Sequence, residues 1–151
     1  VTRYLVLLRG VNVSGHNKVP MAELRSSLSD EGFDEVSTYI QSGNIAVDSD
    51  RGPEDVAAQV GTTLVESFDV HVPVVVVAQK CVDAIIDAAP FAADADPAFQ
   101  VVYFAQNNID VAGIAEMDPD RWPGDVISGA TNAVYVSYEH GQGKSKLSLD
   151  Q

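Results

Sequence analysis

Cysteine is nearly missing: Cys81 stands alone among 151 residues. That excludes an internal disulfide and any cysteine-rich metal site. Long apolar runs are missing too. The longest, Val72 to Ala78, is far too short to span a bilayer as a helix. The apolar stretch Leu5 to Leu8 is cut off by Arg9 with no small-residue cleavage site behind it, so no signal peptide is expected. Glycine and proline, 11 and 7 residues, show none of the enrichment that marks a disordered chain. These absences make a cytoplasmic location the expectation.

Positive charge is the other scarcity. Nine lysines and arginines face 22 acids, a net charge of −13. Broad nucleic-acid binding needs cations spread along a phosphate backbone, so a nucleic-acid partner is not expected. The cations are unevenly placed. Residues 1–25 and 144–151 hold Arg3, Arg9, Lys18, Arg25, Lys144 and Lys146 against only Glu23 and Asp150. The span between holds Arg51, Lys80 and Arg121 against the other acids. A locally basic start on an acidic protein suits a small anionic ligand better than a polyanion.

What is present reads as alternating strands and helices. Tyr4 to Arg9 is a strand apolar on both faces, hence central. Pro20 opens a helix with Met21, Leu24 and Leu28 on one face, and Gly32 closes it. Val36 to Ile40 and Ile45 to Asp48 form a hairpin around Gln41-Ser-Gly-Asn44. A helix follows from Gly52-Pro53, with Val56, Val60 and Leu64 as its stripe, and then the strand Val72 to Ala78. The order β-α-β-β-α-β is the ferredoxin-like unit. It then begins again: a connecting helix from 79 to 89, a strand from Phe99 to Ala105, a short helix near Val111 to Met117, and a hairpin of 125–128 with 133–138. The expected fold is α+β, a tandem duplication of ferredoxin-like units with antiparallel sheets. Residues 1–78 form the first subdomain; 79–151 hold the connecting helix and an incomplete second one, lacking its last helix and strand in this chain. The tail from Gly143 reads as the approach to a helix.

Two polar stretches punctuate the first unit. Arg9-Gly10-Val-Asn12-Val-Ser14-Gly15-His16-Asn17-Lys18 follows the first strand, and Gln41-Ser42-Gly43-Asn44 turns the hairpin. In a ferredoxin-like unit the first two strands run the same way, so both stretches should emerge at one end of the sheet. Such a rim, with free N–H groups ahead of a helix, favours an anion. The first loop is longer than joining a strand to a helix requires. Ligand-binding candidates are therefore Arg9, Gly10, Asn12, Gly15, Asn17, Lys18, Gln41, Ser42, Gly43 and Asn44. The alternative is that both are ordinary turns, since Asn, Ser and Gly are turn residues.

The runs Leu7-Leu-Arg9-Gly10-Val-Asn12-Val13, Asn17-Lys18-Val-Pro20-Met21 and Thr38-Tyr-Ile-Gln-Ser-Gly-Asn44, with the tail Gly143-Lys-Ser-Lys-Leu147, resemble the signature of a bacterial family. That family is catalogued as domain of unknown function 1697. The resemblance implies paired ferredoxin-like subdomains and brings no activity with it.

Other chemistry is weaker. The loop after the first strand has the glycine spacing of a P-loop, but its lysine is two residues late and no Ser or Thr follows for magnesium. A looser phosphate cradle stays open. His16, His71 and His140 have no metal-ligand spacing, and no metal or cofactor is expected. His71 is read as structural, Cys81 as core, and Phe99, Tyr103 and Phe104 as core packing rather than an RNA-stacking surface. Three functions follow: a module binding a small anionic ligand at the rim, an enzyme on a phosphorylated substrate there with His16 as base, or a structural or protein-interaction domain. Oligomeric state is not legible.

Overall fold

The computed structural model describes residues 1–147, so the end of the expected tail lies outside the described residues. These fold as α+β, with four α-helices and two antiparallel sheets, one of four strands and one of three. No helix among them is long and apolar enough to cross a membrane. The chain divides into two compact units, Val1–Ala84 and Ile85–Gln151.

The first unit runs β1 (Thr2–Leu8), α1 (Met21–Asp30), β2 (Asp34–Tyr39), β3 (Asn44–Ser49), α2 (Pro53–Phe68) and β4 (Val74–Ala78). The strand order is β2-β3-β1-β4, so β1 is central, as its apolar sequence requires. Alternation puts Tyr4, Val6 and Leu8 into the core. On the opposite face Arg3 reaches Asp48 across the sheet at 2.9 Å. The helices cover the core face with the residues their periodicity selects: Met21, Leu24 and Leu28 from α1, and Val56, Val60 and Leu64 from α2. Both helices end in left-handed residues. Gly32, at φ 87°, lets its N–H reach Ser29 and the N–H of Phe33 reach Leu28, the six-to-one closure that also buries Phe33 beside the helix end. Asp69 takes the same conformation after α2.

Helix α3 (Gln79–Asp87) carries the division between the units, and the boundary drawn from sequence at 78 and 79 falls at its start. Cys81 is exposed, not core as expected: α3 buries none of its residues.

The second unit continues with β5 (Gln100–Phe104), α4 (Val111–Ala115), β6 (Val126–Ala130) and β7 (Ala133–Ser137) in the order β5-β7-β6. No further α-helix or strand follows β7 among the described residues. Val134, Val136, Tyr138 and Leu147 form its small core, with Tyr103 and Trp122 packed against it. The hydroxyls of Tyr103 and Tyr138 lie 2.8 Å apart. Burial, and secondarily that hydrogen bond, push the Tyr138 phenol above its ordinary range.

Candidate functional site

Topology brings the two polar stretches together. β1 and β2 both pair antiparallel to β3, so they run parallel to each other, one on each side of it. Asn44 is opposite Leu7 on one side and Tyr39 on the other. The loop leaving β1 and the turn leaving β2 therefore share one end of the sheet.

The backbone there is unusual. Gly10, Asn12, Ser14, Gly15 and Asn17 all have positive φ, between 49° and 79°. Glycine takes this region without penalty and asparagine does so more readily than most residues, which explains the residue types in this loop. It also revises the role of the asparagines. Asn12 donates both amide hydrogens, to the carbonyls of Val19 at 2.9 Å and Gln41 at 2.7 Å, and accepts from the Val19 N–H at 2.8 Å. Asn17 donates to the Gly10 carbonyl at 3.0 Å. Asn44 donates to the Ser42 hydroxyl at 2.8 Å. These side chains hold the loops in shape and to each other.

The second loop is pressed into the first. Leu8 N–H donates to the Gly43 carbonyl at 2.9 Å, and Gly43 is buried with φ 86°. Ile40 was expected to end the strand; instead it leaves it, with φ 52°. A β-branched side chain seldom takes that conformation. The kink leaves Tyr39 73% and Ile40 60% exposed, and Val13 on the neighbouring loop is 55% exposed.

Charge at this end comes from Arg9 and Lys18, both exposed. Arg25 adds a third cation that sequence reading did not assign: from α1 its guanidinium donates to the Thr38 hydroxyl at 2.6 Å, beside Tyr39. Arg3 is not part of the group, since it is tied to Asp48. His16 is exposed, with its N–H bonded to Val13. Gly15 lies at the exposed tip, with open space where a Cβ would project. Gln41 and Ser42 are exposed on the turn.

The Arg9 N–H also donates to the Pro73 carbonyl at 3.3 Å. Pro73 is one wall of an open groove of about 560 Å³, whose titratable residues are Glu66 and His71. His71 is thus exposed rather than structural, because Val72 and Pro73 stay outside β4. The described residues contain no cluster of histidine, cysteine and carboxylate side chains suited to a metal.

An α+β protein with a braced two-loop rim at one end of an antiparallel sheet is the class these features define. The chain belongs to the family described as Protein of unknown function (DUF1697), whose profile matches residues 1–135. Among solved structures it is similar to a conserved bacterial protein from Streptococcus pneumoniae. That protein is 27% identical, the match covers 91% of this chain and 77% of that one, and the TM-score is 0.72. No curated protein matches the chain.

Proposed function

We propose that this protein is a binding module whose recognition surface is the rim, and that its ligand is small and carries both an anionic group and an apolar or aromatic part. Arg9, Lys18 and Arg25 supply the charge; Tyr39, Ile40 and Val13 supply the apolar contact. The observation that carries this reading is Ile40. A branched side chain held at positive φ costs about 1–2 kcal/mol. Exposed as it is, Ile40 recovers little of that by burial, and strain of this kind concentrates at ligand clamps and other functional positions. The asparagines, offered above as ligand contacts, act here by fixing the loops in advance, which lowers the entropy lost on binding.

We also infer the finer architecture. The first unit has the element order of a ferredoxin-like fold. The pairing of β5 with β7 and of β7 with β6 repeats that of β1 with β3 and of β3 with β2, which supports a duplicated unit.

A thermal-shift panel of phosphates, nucleotides and sugar phosphates tests the binding reading. A ligand at a hundred times its dissociation constant adds about 2.7 kcal/mol. The expected result is a shift from at least one anion that is lost in Arg9→Ala or Lys18→Ala. No shift from any of them would refute it. The exposed Val13, Tyr39 and Ile40 favour a second reading, a protein-interaction surface; it predicts that the double Arg9→Ala, Lys18→Ala variant still binds its protein partner fully.

A further inference from the structure

The loop after β1 contains a small hairpin of its own. The Asn12 N–H donates to the Asn17 carbonyl at 3.0 Å, Val13 bridges His16, and the His16 N–H donates to the Val13 carbonyl at 2.9 Å. Ser14 and Gly15 make its two-residue tip, both left-handed at φ 50° and 79°, as a tight hairpin turn of this kind requires. Every residue from Val13 to Lys18 is exposed. Val13 thus offers an apolar side chain to solvent on a projection that its own hydrogen bonds hold in shape.

A recess borders this projection. β4 runs antiparallel to β1 with Val74 opposite Leu8, and the Arg9 N–H continues the ladder to the Pro73 carbonyl. The segment entering β4 therefore lies beside the root of the hairpin. It forms one wall of the groove of about 560 Å³, and α2 forms the other through Gly61, Val65 and Glu66. That volume suits a chain segment or a whole ligand rather than one side chain. Gly61 bears on what the groove is for. A glycine inside a helix weakens it, yet a Cβ built at Gly61 meets nothing within 4 Å. The packing of α2 itself does not call for a glycine there; its effect is to leave the groove open along the helix.

Projection and recess are opposite in charge. Residues 9–22 hold Arg9 and Lys18 and no acid, and Glu23 on α1 is the first to follow. Residues 53–79 hold Glu54, Asp55, Glu66 and Asp69 and no lysine or arginine. Glu66 and Asp69 stand at the C-terminal end of α2, whose last turn has no basic residue, so they add to the negative end of the helix dipole. His71 is a titratable base within the groove. We propose that this end of the first unit is a self-association surface: the hairpin tip of one copy enters the groove of a second copy, which returns its own tip to the first. A twofold assembly joins one patch to itself, so that patch must carry both a projection and a recess. In this arrangement Val13 is covered by Val65 and Pro73, and Lys18 lies toward Glu66. Two copies of net charge −13 repel one another overall, and a contact between patches of opposite sign is where that repulsion is least. The proposal goes beyond both readings of the rim, since it needs the hairpin tip and the groove but neither Tyr39 nor Ile40.

Sedimentation equilibrium of the whole chain over a concentration series is the test. The expected result is a reversible monomer–dimer equilibrium that stops at the dimer. Val13→Glu changes an exposed tip and Gly61→Gln extends a side chain into open space, so both variants should fold, which circular dichroism checks. Each should raise the dissociation constant about tenfold or more. Gly61→Gln should at the same time raise thermal stability, because it removes a glycine from a helix; a dimer lost there is not lost to unfolding. Lys18→Glu and Glu66→Lys should each weaken association, and the two together should restore it. Tyr39→Ala should leave it unchanged, which separates this contact from the rest of the rim. A monomer at every concentration, growth beyond the dimer, or a dimer that persists in the folded Val13→Glu and Gly61→Gln variants overturns the proposal. So does a double charge reversal no better than either single one, or a dimer lost with Tyr39→Ala.

Discussion

A Cβ built on Gly43 would stand 2.7 Å from the Leu8 Cβ and 2.9 Å from a methyl group of Val11. Real Cβ atoms do not approach so closely, and neither neighbour is a flexible chain end. The turn between β2 and β3 can thus sit on the end of β1 only because residue 43 lacks a side chain. Gly43→Ala combines that clash with a left-handed backbone, φ 86°. It should destabilise the first unit by roughly 2–5 kcal/mol. Urea denaturation followed by far-ultraviolet circular dichroism measures this; a loss under about 1 kcal/mol would mean that the two loops separate easily.

Asn12→Ala removes three hydrogen bonds that join Val19 and Gln41. A cost on the order of 2–4 kcal/mol is expected, because partners near the buried Val19 lose their mates. Asn12→Asp is the sharper test. Aspartate still accepts from the Val19 N–H but sets a negative oxygen against two carbonyls, so it should do no better than alanine. If Asp rescues stability, the donor half of the amide is unimportant.

Ile40→Asn should move stability and binding in opposite directions. Asparagine tolerates positive φ, and little packing is lost at a side chain 60% exposed, so stability should rise by about 1 kcal/mol. Any ligand found for the rim should bind more weakly. A variant that is stabilised and binds as well as the parent would remove Ile40 from the recognition surface.

Alkaline titration isolates Tyr138. Its phenol is shifted upward by burial and by Tyr103, so the folded state keeps this proton where the unfolded state gives it up. At pH values below the ordinary 10.0 both states are protonated and the group contributes nothing to pH dependence. As pH rises beyond it, the unfolded state ionises first and the stability of the second unit falls. Near-ultraviolet phenolate absorbance should show one of the five tyrosines lagging, and Tyr138→Phe should remove the lag.

The regular part of this fold was legible because it rests on periodicity. Met21, Leu24 and Leu28, or Val56, Val60 and Leu64, identify a buried helix face without reference to anything distant. The meeting of the two loops was also legible, since it follows from strand direction alone. What each loop residue does was not. Asn12 has the composition of a ligand contact, and only the positions of Val19 and Gln41 reveal that its amide is already committed. Ile40 has the character of a strand end because a β-branched residue favours one; its left-handed conformation shows only in the folded backbone.

The five left-handed positions between Gly10 and Asn17 separate two properties that usually travel together. Surface residues are ordinarily the ones a protein can exchange freely, since nothing is packed against them. Here the restriction lies in the main chain, so solvent exposure brings no freedom of choice. In a saturation-mutagenesis map scored only on abundance, the exposed Gly10, Ser14 and Gly15 should read like interior positions, accepting glycine and asparagine and rejecting valine and isoleucine. Val13, between them and just as exposed, should accept almost anything. A selection scored on ligand capture should then pick out a different subset, and the difference between the two maps would separate what shapes the rim from what touches its ligand.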